Sequence, residues 1–171
     1  MKKPRQTGLI IGLMLISAAS WSVPGAALEL PLDGKNWALW GTARETRRLG
    51  REETVSRENY CPTGGCVIRM DRCSIRPLKA RPGDTLVLAT GYTLLTPEQI
   101  AIPVTITREI FFQGKSLGKT RSTDTRSYNG SFDHEINFLL PPNAAVGTYQ
   151  LVTIISTGYG QDQKTVEFRV E

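Results

Sequence analysis

Five stretches in the second half of this chain alternate apolar and polar side chains with a period of two, and that pattern leaves little room for anything but β-structure. They cover residues 85–95, 102–112, 132–140, 148–157 and 164–170. In the first, Leu86, Leu88, Thr90, Tyr92 and Leu94 share a face. In the second, Ile102, Val104, Ile106, Ile110 and Phe112 do so, with Arg108 as the exception. Phe132, His134, Ile136, Phe138 and Leu140 form the third face, so the chain's single histidine sits among core-type residues. Tyr149, Leu151, Thr153 and Ile155 make the fourth, and Val166, Phe168 and Val170 the fifth. Turn formers punctuate the series: Arg81-Pro82-Gly83-Asp84, Gln113-Gly114-Lys115, Pro141-Pro142 and the segment 158–162. Asn129-Gly130 predicts a tight hairpin, because both residues tolerate positive φ. Short strands, regular turns and no amphipathic helix predict an antiparallel β-sandwich of about seven strands in roughly 100 residues.

The end of the chain carries a family resemblance. Pro141-Pro142-Asn143-Ala144-Ala145-Val146-Gly147-Thr148-Tyr149 leads into an alternating strand, a Gly-rich turn and a closing Phe168-Arg169-Val170. This resembles the last hairpin of bacterial immunoglobulin-like modules, and Arg81-Pro82-Gly83-Asp84 resembles the start of an early strand in them. The resemblance covers about the last 90 residues. It implies an immunoglobulin-like sandwich and a role in adhesion, assembly or ligand presentation.

The N-terminus reads as a targeting signal. Lys2, Lys3 and Arg5 precede an apolar run over 8–19, too short to span a membrane comfortably. Small residues follow, and a cut after Ala27 is preferred over one after Ala19. Removing residues 1–27 from 171 leaves 144. The whole chain carries a formal +5, and residues 1–27 hold three basic and no acidic groups, so the remainder carries +2. That small charge argues against nucleic-acid binding. No later run is long enough to cross a membrane. The expected setting is bacterial, periplasmic or secreted.

Residues 28–72 are expected to form a polar N-terminal extension ahead of the sandwich at 73–171. Arg44, Arg47, Arg48, Arg51 and Arg57 interleave with Glu45, Glu52, Glu53 and Glu58. A helix there would be polar nearly all round, and an extended arm or a pair of edge strands fits as well. The interleaved signs favour a self-paired, solvated segment over an acid-binding surface. Trp37 and Trp40 frame an aromatic patch and are candidate partner contacts, as is Tyr159 between two glycines.

Cys61, Cys66 and Cys73 are disulfide candidates in an exported chain. The turn-forming Pro62-Thr63-Gly64-Gly65 favours a Cys61–Cys66 bridge, with the other two pairings open. Cys73 would then be a buried thiol or a route to a homo-oligomer. The cysteines and His134 lack the close C-x2-C pair of zinc sites, and no C-x-x-C redox motif occurs. Neither metal nor other cofactor is expected.

Gly65-Cys66-Val67-Ile68-Arg69 resembles the catalytic Gly-Cys-(Val/Ile)-Arg stretch of L,D-transpeptidases. Here a residue is inserted before Arg69, and the only histidine lies far downstream. A nucleophilic cysteine needs a base, and the sequence supplies none nearby. The expectation is therefore a non-enzymatic module that binds another envelope or secreted protein. The alternatives are an inhibitor that blocks an enzyme and, behind it, a Cys-dependent cell-wall enzyme.

Overall fold

The computed structural model describes residues 38–171, apart from the side chains of residues 39, 62 and 118–122. The expected signal segment and Trp37 lie outside the described residues. Ten strands and one α-helix follow in order: β1 (Leu39–Trp40), β2 (Arg44–Leu49), α1 (Arg51–Glu58), β3 (Val67–Arg76), β4 (Lys79–Ala80), β5 (Thr85–Leu95), β6 (Ile102–Phe112), β7 (Lys115–Ser127), β8 (Gly130–Leu139), β9 (Gly147–Thr157) and β10 (Gly160–Val170).

The strands form two five-stranded sheets. The first runs β1-β8-β5-β3, with β2 also paired to β8. The second runs β4-β10-β9-β6-β7. All pairs are antiparallel except β4 with β10. The chain is thus an all-β, immunoglobulin-like sandwich. β3, β5 and β8 take the places of the first, second and fifth strands of that fold, and β6, β9 and β10 those of the third, sixth and seventh. Near the start of β9 the Tyr149 hydroxyl donates to the Ala145 carbonyl at 2.8 Å, the tyrosine corner of such domains.

The expected boundary at 72/73 falls inside β3. Strands β1 and β2 belong to the sandwich, filling the fourth position beside β8. Their sequence hides this because β2 is an edge strand with only Glu45 and Leu49 half-buried. The polar segment after it is partly helical after all. In α1, the Glu53 carboxylate accepts the Gly50 N–H at 3.1 Å, and Arg57 complements the helix C-terminus. Thr54 is the one buried residue of α1, and the helix packs on β8 and β5.

Asn129-Gly130 does not make the expected hairpin. Gln113 and Gly114, both at positive φ, turn β6 back into β7 in that way instead. β7 and β8 lie in different sheets, so Asn129-Gly130 carries the chain across the sandwich. Gly130 has φ +154°, and a Cβ there would sit 2.8 Å from the Leu49 carbonyl oxygen. Gly130→Ala therefore combines backbone strain with a clash against β2. We expect a loss of about 2 kcal/mol, read from the urea midpoint.

Two apolar clusters fill the interior. One gathers Leu86, Leu88, Ile110, Ile136, Phe138, Tyr149, Leu151 and Phe168. The other gathers Met70, Tyr92, Leu94, Ile106, Phe132 and Ile155. A polar belt separates them. Register places Glu45, His134, Thr90 and Cys73 in one row across the first sheet. Arg108, Thr153 and Lys164 form a row across the second. Each of the four central strands β5, β6, β8 and β9 thus spends one inward position on a polar residue at the same level. Thr90, Arg108, His134 and Thr153 are all buried. Arg108 Nη2 lies 2.8 Å from His134 Nδ1. Because a guanidinium only donates, Nδ1 accepts and the ring proton resides on Nε2.

Two register shifts interrupt the first sheet. One leaves Arg48 as the extra residue of β2, the other leaves Asp71 as the extra residue of β3. Bulges of this kind re-aim side chains away from the regular alternation.

Candidate functional site

The loops at one end of the sandwich assemble a compact surface. Three segments meet there: 59–66 ahead of β3, the β5–β6 loop 96–101, and the β9–β10 turn at Gly158–Tyr159. Each is held by its own local chemistry.

Asn129 secures the β5–β6 loop. Its Oδ1 accepts the Thr96 N–H at 3.1 Å and the Thr96 hydroxyl at 3.0 Å. Its Nδ2 donates to the carbonyls of Thr96 at 2.7 Å and Glu98 at 3.1 Å. Asn129 is only 3% exposed, so these bonds are made away from water. In the β9–β10 turn, Thr157 Oγ1 accepts the Tyr159 N–H at 3.0 Å. In the first segment the Tyr60 hydroxyl donates to the Gly65 carbonyl at 2.6 Å, and a 3-10 turn spans Pro62–Gly64.

Electrostatics ties the three together. The Glu98 carboxylate beside Tyr159 raises that phenol. Burial and then Glu98 raise the Cys66 thiol. Burial and then Cys66 raise the Tyr60 phenol. Cys61 moves the other way, because the Thr63 hydroxyl and the N–H groups of Thr63 and Gly64 support its thiolate. Ile100 is 58% exposed and Tyr159 44% exposed, so the surface presents apolar groups ringed by polar ones.

The expected site residues divide sharply. Tyr159 is exposed at the tip, and the Cys61–Cys66 segment lies beside it. Trp40 is half-buried: its ring packs 4.8 Å from Phe138 against the core. In the structure all three cysteines are free thiols, and Cys61 Sγ lies 3.1 Å from the Thr63 hydroxyl. Cys73 points into the polar belt, 3.6 Å from Thr153 Oγ1, which disfavours it as a bridge between copies. Glu98, Ile100 and Asn129 carried no sequence signal for this surface, because their meeting with the Cys segment depends on strand order.

Of the two thiols at this surface, Cys61 is the one whose thiolate is supported. Cys66 sits by an acidic group that disfavours its thiolate, while His134 is enclosed between the sheets against Arg108. Among the described residues no three His, Cys, Asp or Glu side chains are grouped to hold a metal ion. No described helix is long and apolar enough to cross a membrane.

No family model matches the chain, and no curated protein matches it. Among solved structures it is similar to a β-glucosidase from Erythrobacter marinus, with TM-score 0.47 and 9% identity over 62% of this chain and 16% of that one. It is similar to a Niemann-Pick type C2 protein from the Japanese carpenter ant, with TM-score 0.44 and 6% identity over 66% of this chain and 98% of that one. An alkylpurine DNA glycosylase from Pseudomonas fluorescens matches with TM-score 0.41 and 12% identity, over 61% of this chain and 30% of that one. The chain spans about a sixth of the glucosidase's length. At such identities and scores these likenesses say nothing about ligand or activity.

Proposed function

We propose that this chain is an exported, non-enzymatic module that binds another envelope or secreted protein through its loop end. The observation that supports this reading is the convergence of three loops on exposed Tyr159 and Ile100, with buried Asn129 fixing the middle loop beforehand. A pre-ordered loop surface loses little conformational freedom on association. Aromatic and apolar anchors ringed by polar groups are what a protein contact uses.

The test is co-purification from the native envelope after mild crosslinking. The double variant Tyr159→Ala, Ile100→Ser should lose at least about tenfold in partner recovery, with an unchanged urea midpoint because both side chains are exposed. Equal recovery of the same partner by both proteins would sink the reading. The loop surface also suits an inhibitor that plugs an enzyme's cleft. That version predicts a one-to-one complex in which the captured enzyme is silenced.

A further inference from the structure

A second cluster of side chains gathers where α1, β2 and β3 meet the margin of β10. Arg48 of β2, Arg57 of α1, Arg69, Met70 and Asp71 of β3, and Lys164 of β10 line an open cleft of about 460 Å³. Four of these residues are cationic. Asp71 is the carboxylate of the lining, and Glu58 and Asp162 flank it, the latter accepting from the Met70 N–H at 2.7 Å, so four cations face three carboxylates.

The cations are held in fixed orientations. Asp71 Oδ2 accepts from Arg48 Nη2 at 2.7 Å and from the Thr93 hydroxyl at 2.8 Å, while Oδ1 accepts from Arg69 Nε at 3.0 Å. Arg57 Nη2 donates to Thr93 and Ser131, each at 2.9 Å, and its Nε donates to Glu58 at 2.9 Å. Arg69 also clasps Glu58, with Nη1 at 2.7 Å. Lys164 Nζ donates to the Asp71 carbonyl at 2.9 Å. Burial pulls the Asp71 carboxyl up, but Thr93, Arg69 and Arg48 together hold it below its ordinary value. Both carboxylates therefore stay ionised and act as the frame on which the guanidiniums are set.

We propose that this cleft binds an oxyanion of the phosphate type. Charge gives the first reason: the four cations gathered there outnumber the three carboxylates that frame them. Geometry gives the second. Asp71 engages Arg48 through Nη2, which leaves the rest of a guanidinium on a side chain 31% exposed to meet a ligand, while Asp71 and Glu58 together hold Nε, Nη1 and Nη2 of Arg69 in place; planar guanidinium forks suit tetrahedral oxyanions. The bulges give the third. The residues that β2 and β3 insert out of register are Arg48 and Asp71, the pair that builds the cleft. Bulges cluster beside functional sites for this reason. The site is independent of the loop-end reading and would stand if that reading failed.

Titration calorimetry of the full chain at low ionic strength tests it, with inorganic phosphate, glycerol 1-phosphate and acetate as probes. Phosphate should bind saturably and at least about tenfold more tightly than acetate. The variant Arg48→Gln, Lys164→Gln should lose about tenfold, whereas Arg81→Gln, distant in the fold, should lose nothing. Tighter binding of glycerol 1-phosphate would place the ligand on a larger phosphorylated molecule, and equal binding would favour free phosphate. If the double variant does not fold, the wild-type chain decides. The Nε signals of Arg48, Arg57 and Arg69 must shift on phosphate addition. No saturable binding, unaltered binding in the folded variant, or unmoved Nε signals would overturn the proposal.

Discussion

Acidification from neutral pH to about 4 will destabilise this sandwich by as much as about 3 kcal/mol through His134 alone. The imidazole is enclosed between the sheets, where burial and then the facing Arg108 guanidinium lower its pKa from 6.5 to about 4. In the native protein the ring is neutral and accepts from Arg108, whereas in the unfolded chain it takes up a proton near 6.5. The unfolded state therefore binds more protons than the folded one between those two values. Stability is complete above 6.5 and falls as the pH drops toward 4. Glu45 in the same row is an acidic counterweight, but its carboxylate already accepts from the Tyr92 hydroxyl at 2.6 Å and Ser127 at 3.0 Å. As the pH falls through the ordinary carboxylate range a separate loss begins, because Arg69 and Arg57 hold Glu58 low, and Thr93, Arg69 and Arg48 hold Asp71 low. Urea unfolding at a series of pH values checks this. A His134→Gln variant should be nearly flat between pH 6.5 and about 4.5, and an equal slope in both proteins would refute the assignment.

Asn129→Ala should cost about 3 kcal/mol, lowering Tm by about 10 °C. The amide makes four bonds at 2.7–3.1 Å to the β5–β6 loop from a buried position. Truncation removes a partner from the buried N–H and hydroxyl of Thr96, and from two carbonyls. An unsatisfied buried group costs more than the bond itself contributes. The second effect is on binding. Without its anchor, the loop bearing Ile100 loses its fixed place beside Tyr159, so partner recovery should fall with stability. Differential scanning calorimetry and the crosslinking assay read the two effects. A Tm within about 2 °C of wild type would show that Asn129 is not the anchor.

Most of the inner face of the sandwich was legible in the sequence. β5 and β6 appear over the residues their alternation marks, and β8 and β9 begin within two residues of expectation. Four segments were illegible for distinct physical reasons. β3 reads Val-Ile-Arg-Met-Asp-Arg-Cys-Ser-Ile-Arg, and the bulge at Asp71 shifts the inward positions midway, which erases the period of two. β2 and β7 are polar edge strands with little to bury. β1 is too short to carry a pattern. The sites show the same division. Tyr159 between glycines announced a loop tip, and Arg108 and His134 stood out as polar residues in apolar faces. Their meeting across the two sheets, and the gathering of Arg48, Arg57, Arg69 and Lys164, rest on strand order and bulges. A linear sequence shows neither. The Arg–Glu interleaving did predict ion pairing, yet the residue that organises it, Asp71, lies outside that stretch.

The strand that closes the first sheet beside β8 has a consequence for how the chain reaches its fold. Residues 44–49 are made early, but their partners at 131–135 are made late. The pairing spans about half the chain and cannot form until about four-fifths of it is present. Such a long-range closure raises the entropic barrier to folding and slows it. Until it forms, β8 has an open margin on one side, able to pair with whatever extended segment is near. An incomplete chain that ends before residue 131 would lack that seat altogether and leave the polar β2 segment with nowhere to dock.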